Sequence, residues 1–143
     1  MVDTVTELVD RAQIKDLLSR FTALMDDHQL TKENLRGIFT KDALLHFASW
    51  GAQGIDEIQR LGKKVLPEVT QSEQSTSDRL VHFAGEKMAI LRANLHARYE
   101  FSNSKVLGVA RMAVDGVFDC SVIKTAHGWR FSGLTLRGVK ADR

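Results

Sequence analysis

"GVFDCSVIKTAHGWRFSGL", residues 116–134, is the stretch that decides the fold. Before its turn the even positions carry Gly116, Phe118, Cys120 and Val122, while the odd ones include Asp119 and Ser121. The pattern runs back through Val114, Met112 and Ala110 to Val106, with Arg111 and Asp115 on the other parity. A period of two is that of a strand with one buried face. "TAHG" (125–128) turns the chain, and "WRFSGLTLRG" (129–138) forms the return strand. Its apolar parity switches from Trp129 and Phe131 to Leu134 and Leu136 across Gly133. Such a switch at glycine predicts a bulge or bend.

Working outward, "RLVHFA" (79–84) and "MAILRANLHARYEF" (88–101) read as two more strands, with "SNSK" (102–105) as the following turn. The N-terminal third is helical. Ile14, Leu17, Leu18, Phe21, Leu24, Met25 and His28 fall at the three-and-four spacing of one apolar face. A second helix is predicted over 32–39, with Thr31 as N-cap and Leu35, Ile38 and Phe39 inward. "TKDA" (40–43) reads as a turn, and "ALLHFASW" (43–50) as a strand ended by "GAQG" (51–54). Ile55, Ile58, Leu61, Val65 and Leu66 make a third helix, which stops before Pro67. "PEVTQSEQSTSD" (67–78) is polar and reads as an irregular loop, long enough for a lid or rim. The plan is α+β: three N-terminal helices packed on a strongly curved, mainly antiparallel sheet that can curl around a pocket.

The bulk numbers fit one domain spanning residues 1–143. Basic and acidic residues number 20 and 18, so no nucleic-acid footprint is expected. No apolar run approaches a membrane span. The opening "MVDTVTELVD" carries acids where a signal peptide would be basic, and Cys120 is the only cysteine. A cytoplasmic protein is the expectation.

Few residues suggest chemistry. In "MDDHQL" (25–30), His28 continues the apolar face, and Asp27 reads as solvated. Asp26 sits about 150° from the centre of the apolar face on an ideal helix, which by itself reads as exposed. His46 shares a parity with Leu44, Ala48 and Trp50, which points it inward or toward an interface. Asn94 and His96 lie in a row with Arg92 and Arg98, and that row is a polar pocket wall, a dimer face or plain surface. Phe47 and Trp50 are large groups suited to lining an apolar cavity. Cys120 lies on the apolar face of its strand and reads as an inert core thiol. The five histidines show no metal-site spacing, so neither metal nor cofactor is expected.

The order of elements, with the words "RAQIKDLLSRFTALMDD", "IFTKDALLHF", "WGAQGIDEI" and "GVFDCSVIKTAHGWRFSGL", resembles the SnoaL-like branch of the nuclear transport factor two-like superfamily over residues 8–138. The resemblance implies a cone-shaped α+β barrel with a deep apolar cavity for a small apolar molecule, commonly in a homodimer. Relatives include polyketide cyclases, scytalone dehydratase, a hexachlorocyclohexane dehydrochlorinase and ketosteroid isomerase. In the dehydratase and dehydrochlorinase members an acid at the end of the first helix pairs with a proton-abstracting histidine. By this resemblance Asp26 stands at the acid's position. The family's "T-x-H-x-x-x-N" word falls on "SEQSTSD" (72–78), with Ser72 for the threonine, Gln74 for the histidine and Asp78 for the asparagine. Glutamine does not titrate, so the dehydratase dyad is broken here.

Two readings follow. One is a cofactor-free lyase, isomerase or cyclase acting on an apolar, polycyclic or polyketide-like substrate. Asp26 is then the acid–base residue, and Gln74, Asn94, His96, His46, Trp50 and Phe47 contact substrate. The other is a non-catalytic ligand-binding or dimeric interaction module of the same fold.

Overall fold

The computed structural model describes residues 4–47, 50–101 and 111–142. Helix α1 (Thr4–Asp26) buries Ile14, Leu17, Leu18 and Phe21 along one stripe, as the spacing dictates. Helix α2 (Lys32–Arg36) starts at Thr31, whose hydroxyl accepts from the Asn34 backbone N–H at 3.1 Å. Strands β1 (Phe39–Phe47) and β2 (Trp50–Gln53) form an antiparallel pair, and α3 (Ile55–Val65) follows. A single 3₁₀ turn (Leu66–Glu68) carries Pro67. Strands β3 (Val69–Phe83), β4 (Met88–Phe101), β5 (Arg111–Thr125) and β6 (Gly128–Asp142) complete the chain.

All six strands form one sheet in the order β2-β1-β6-β5-β4-β3. Among the described residues only β1 and β6 run parallel. The sheet curls as a cone around α1 but does not close, because β2 and β3 remain its two edges. Five phenylalanines lock helix to sheet. Phe21 of α1 meets Phe39 edge-on at 5.2 Å and Phe47 at 6.2 Å. Phe39 then meets Phe131 at 5.7 Å, and Phe47 meets Phe118 at 5.9 Å.

The hairpin of residues 116–134 forms as its alternation requires. Val114, Phe118, Cys120 and Val122 are buried, as are Trp129, Phe131, Leu134 and Leu136. The parity switch is a bulge: Ser121 pairs with Gly133 and Val122 with Phe131, leaving Ser132 unpaired. Glycine is needed there because a Cβ on residue 133 would sit 2.8 Å from Ser121 Oγ.

Four local expectations change. Residues 40–43 are part of β1, not a turn. Helix α2 stops at Arg36, and Ile38 and Phe39 are buried outside it. Residues 69–78 are not a loop but the first two-thirds of β3. That strand is an edge with polar side chains on both faces, so it has no hydrophobic period to read. His28 is exposed rather than packed, because it leaves the helix in the left-handed conformation. The expected turn at 102–105, the beginning of the strand expected from Val106, and residues 48–49 of the expected 43–50 strand lie outside the described residues.

Candidate functional site

The site begins at the way α1 ends. The Gln29 N–H donates to Leu24 O at 2.8 Å and the His28 N–H to Met25 O at 3.1 Å. This is a Schellman cap, with His28 in the left-handed conformation at φ 55°. The cap lifts His28 off the apolar stripe and fixes Asp26 in the last helical turn. A carboxylate there meets the negative end of the helix dipole, so it needs donors from elsewhere.

Strand β3 supplies them. Ser72 Oγ donates to Asp26 Oδ1 at 2.5 Å, and Gln74 Nε2 donates to the same oxygen at 2.9 Å. Ser72 and Gln74 share one face of the strand, two residues apart, as the pleat requires. The bond from Nε2 also fixes the amide's orientation. Gln74 Oε1 is left buried with no partner among the described residues. Across the ladder, Ser72 pairs with Tyr99 of β4.

Ser72, Gln74 and Tyr99 are the polar part of the wall of a cavity of about 320 Å³. The rest of that wall is apolar, including Met25, Phe47, Trp50, Leu66 and Met112. A smaller recess of about 80 Å³ under α3 shares Met25, Phe47, Trp50, Val65 and Leu66 with it. Asp26 does not itself line the cavity; it stands one hydrogen bond behind Ser72 and Gln74. Burial pushes the Tyr99 phenol well above its usual range, and the Asp26 carboxylate pushes it the same way. Tyr99 is therefore a neutral donor at any working pH.

Of the residues expected to contact substrate, Gln74, Trp50 and Phe47 line this cavity. His46, Asn94 and His96 do not. The pleat turns Leu45, Ala93, Leu95 and Ala97 inward and those three outward. His46 is exposed on β1. Asn94 Nδ2 donates to Asp78 Oδ2 at 3.1 Å, and His96 Nδ1 lies 2.7 Å from Asp115 Oδ1 on the outer face. Asp78 has φ 52° beside a break in the β3–β4 register, so it serves a bulge rather than the pocket. Cys120 is buried, and burial followed by the neighbouring Asp119 charge raises its thiol well above the usual range, which makes it a poor nucleophile. Among the described residues, no three of the His, Cys, Asp and Glu side chains converge as a metal site.

One polar cluster was missed in the sequence. Asp10 is buried and accepts from Trp129 Nε1 at 3.0 Å and from Lys124 Nζ at 3.2 Å. It ties α1 to the final hairpin. The signal was present: Asp10 lies four residues before Ile14, in register with Leu17 and Phe21. A carboxylate on that stripe must be buried with a partner.

An open α+β cone packed on α1, with an apolar cavity and a carboxylate behind its polar wall, defines the class of fold. The family model of the SnoaL-like domain matches residues 6–135. The chain belongs to the SnoaL-like domain family, within the nuclear transport factor two-like fold. It is similar to a candidate scytalone dehydratase from Novosphingobium aromaticivorans, with 19% identity, 98% and 91% of the two chains covered, and a TM-score of 0.85. It is similar to the hexachlorocyclohexane dehydrochlorinase LinA-type3 from Novosphingobium barchaimii, with 17% identity, 98% and 94% coverage, and a TM-score of 0.81. A nuclear transport factor two-like protein from Salmonella enterica aligns at 13% identity over 92% of both chains, with a TM-score of 0.77. At these identities the likeness is one of fold. No curated protein matches the chain. Among the described residues, no helix is long and apolar enough to cross a membrane.

Proposed function

We propose that this chain is a cofactor-free acid–base enzyme that moves a proton on a small, mostly apolar molecule, as a lyase, isomerase or cyclase does. The observation that carries this reading is the Asp26 carboxylate held by Ser72 and Gln74 behind the polar wall of an otherwise apolar cavity. Ser72 is the link between them. A proton leaving a ligand carbon passes to Ser72 Oγ as the serine proton passes to Asp26 Oδ1. The electron pair left on that carbon moves into an adjacent carbonyl, and the neutral Tyr99 O–H donates to the oxygen that gains charge. Return of the proton to another carbon gives isomerisation. Loss of a leaving group from the neighbouring carbon gives elimination. Gln74 cannot take a proton and acts by positioning the carboxylate.

The reading extends to a homodimer formed in the cytoplasm. The half-exposed Leu80, Met88 and Ile90 support a partner on the outer face near the β3–β4 turn. The second reading, a ligand-binding module without chemistry, is favoured by one feature: a non-titrating glutamine occupies one of the two donor positions on Asp26.

Solvent-deuterium exchange separates the two. A panel of small cyclic ketones and enones is incubated with the protein in D₂O and followed by NMR. Deuterium incorporation next to the carbonyl that is lost in Asp26→Asn supports the enzyme. Saturable binding without incorporation, or incorporation that Asp26→Asn retains, removes Asp26 from the chemistry.

A further inference from the structure

Away from the cavity, the parallel seam between β1 and β6 comes apart. Phe39 pairs with Phe131, and the next pair is Leu44 with Gly133. Residues 40–43 therefore oppose Ser132 alone, and Thr40, Lys41 and Asp42 have no ladder partner on β6 or β2 among the described residues. A groove of about 550 Å³ lies at this break, lined by Arg36, Thr40, Lys41, Thr125, His127 and Arg130, among others.

The charged groups lining the groove are all cationic. Arg130 is anchored: its Nε donates to Arg36 O at 2.9 Å and its Nη1 to Trp129 O at 2.8 Å, with no bond to Nη2 among the described residues. Among the described residues, no carboxylate pairs with Arg36, Lys41 or Arg130. Arg20, whose charge acts on Arg130, is already paired with Asp16 at 3.0 Å. Partial burial lowers the Arg130 pKa, and the like charge of Arg20 lowers it further. A partly buried cation without a counter-charge attracts an anion.

We propose that this groove binds a phosphate-class oxyanion. Phosphate offers several acceptor oxygens to donors approaching from different sides, and a fixed guanidinium fork suits it. Arg130, the exposed Arg36 and Lys41 heads, and the unladdered stretch at Thr40 and Lys41 line one groove. The same chemistry is met by free phosphate or by the phosphoryl group of an organic monoester.

Two-dimensional amide NMR of the whole chain tests this with inorganic phosphate, then phenyl phosphate, against chloride at fixed ionic strength. Saturable shifts confined to residues 36–41 and 125–131 are expected. In the double variant Arg36→Gln, Lys41→Gln the affinity falls by about tenfold or more. Both side chains are exposed, so the spectrum elsewhere stays native; Lys41→Gln alone serves if the double variant does not fold. Equal affinity for both probes assigns the site to the free ion, and tighter phenyl phosphate binding to a monoester. Shifts that fail to saturate, that chloride reproduces, or that the variants leave unchanged overturn the proposal.

Discussion

Gln74 Nε2 donates to Asp26 Oδ1 at 2.9 Å, so a residue that cannot titrate is clamped on a carboxylate that can. Gln74→His tests what that carboxylate does to its neighbour. An imidazole in place of the amide gains a charged partner, which favours its protonated form. Its pKa, read by NMR titration, is expected above the free-histidine value of about 6.5. A value at or below that figure shows that burial of the ring outweighs the Asp26 charge at position 74.

Asp10→Ala leaves Trp129 Nε1 buried without an acceptor and Lys124 without its carboxylate. The expected loss is about 3 kcal/mol, mainly from the orphaned indole, since Lys124 is partly exposed. Asp10→Asn keeps an acceptor and loses less. Urea denaturation of both variants measures the difference. Equal losses mean that the indole bond contributes little.

Gly133→Ala forces a methyl against Ser121 Oγ at 2.8 Å. The expected cost is about 1–3 kcal/mol. Ser121→Ala removes the obstructing oxygen, so the double variant recovers much of that loss. Additive costs in a double-mutant cycle show that the strain lies in the bulged backbone instead.

Alkaline pH is expected to destabilise this fold. Tyr99 and Cys120 both have folded-state pKa values raised by burial, Tyr99 further by Asp26 and Cys120 further by Asp119. The unfolded chain releases these protons from about pH 8.5 for the thiol and about pH 10 for the phenol, while the folded chain keeps them. Between those values and the folded pKa the unfolded state binds fewer protons, so stability falls as pH rises. Thermal melts from pH 8 to 11 are expected to show a falling midpoint, and Tyr99→Phe flattens the upper part of the fall. A midpoint that is flat across the range contradicts the burial of both groups.

The sequence by itself determined the elements that bury one regular stripe. The β5–β6 hairpin, its bulge at Gly133, helix α3 and the core face of α1 follow from side-chain period, because one face of each must leave water. The fold class follows from their order. Strand β3 was not legible, since Ser72, Gln74 and Thr76 face inward and their neighbours face water, so polarity carries no period. The outward turn of His46, Asn94 and His96 waited on pleat parity across bulges, where one extra residue reverses every side chain beyond it. Asp26 is the sharpest case. Helix spacing puts it off the apolar stripe, and that is correct. Only the tertiary structure lays the edge strand β3 against the end of α1, where Ser72 and Gln74 turn an off-stripe carboxylate into a half-buried, hydrogen-bonded one.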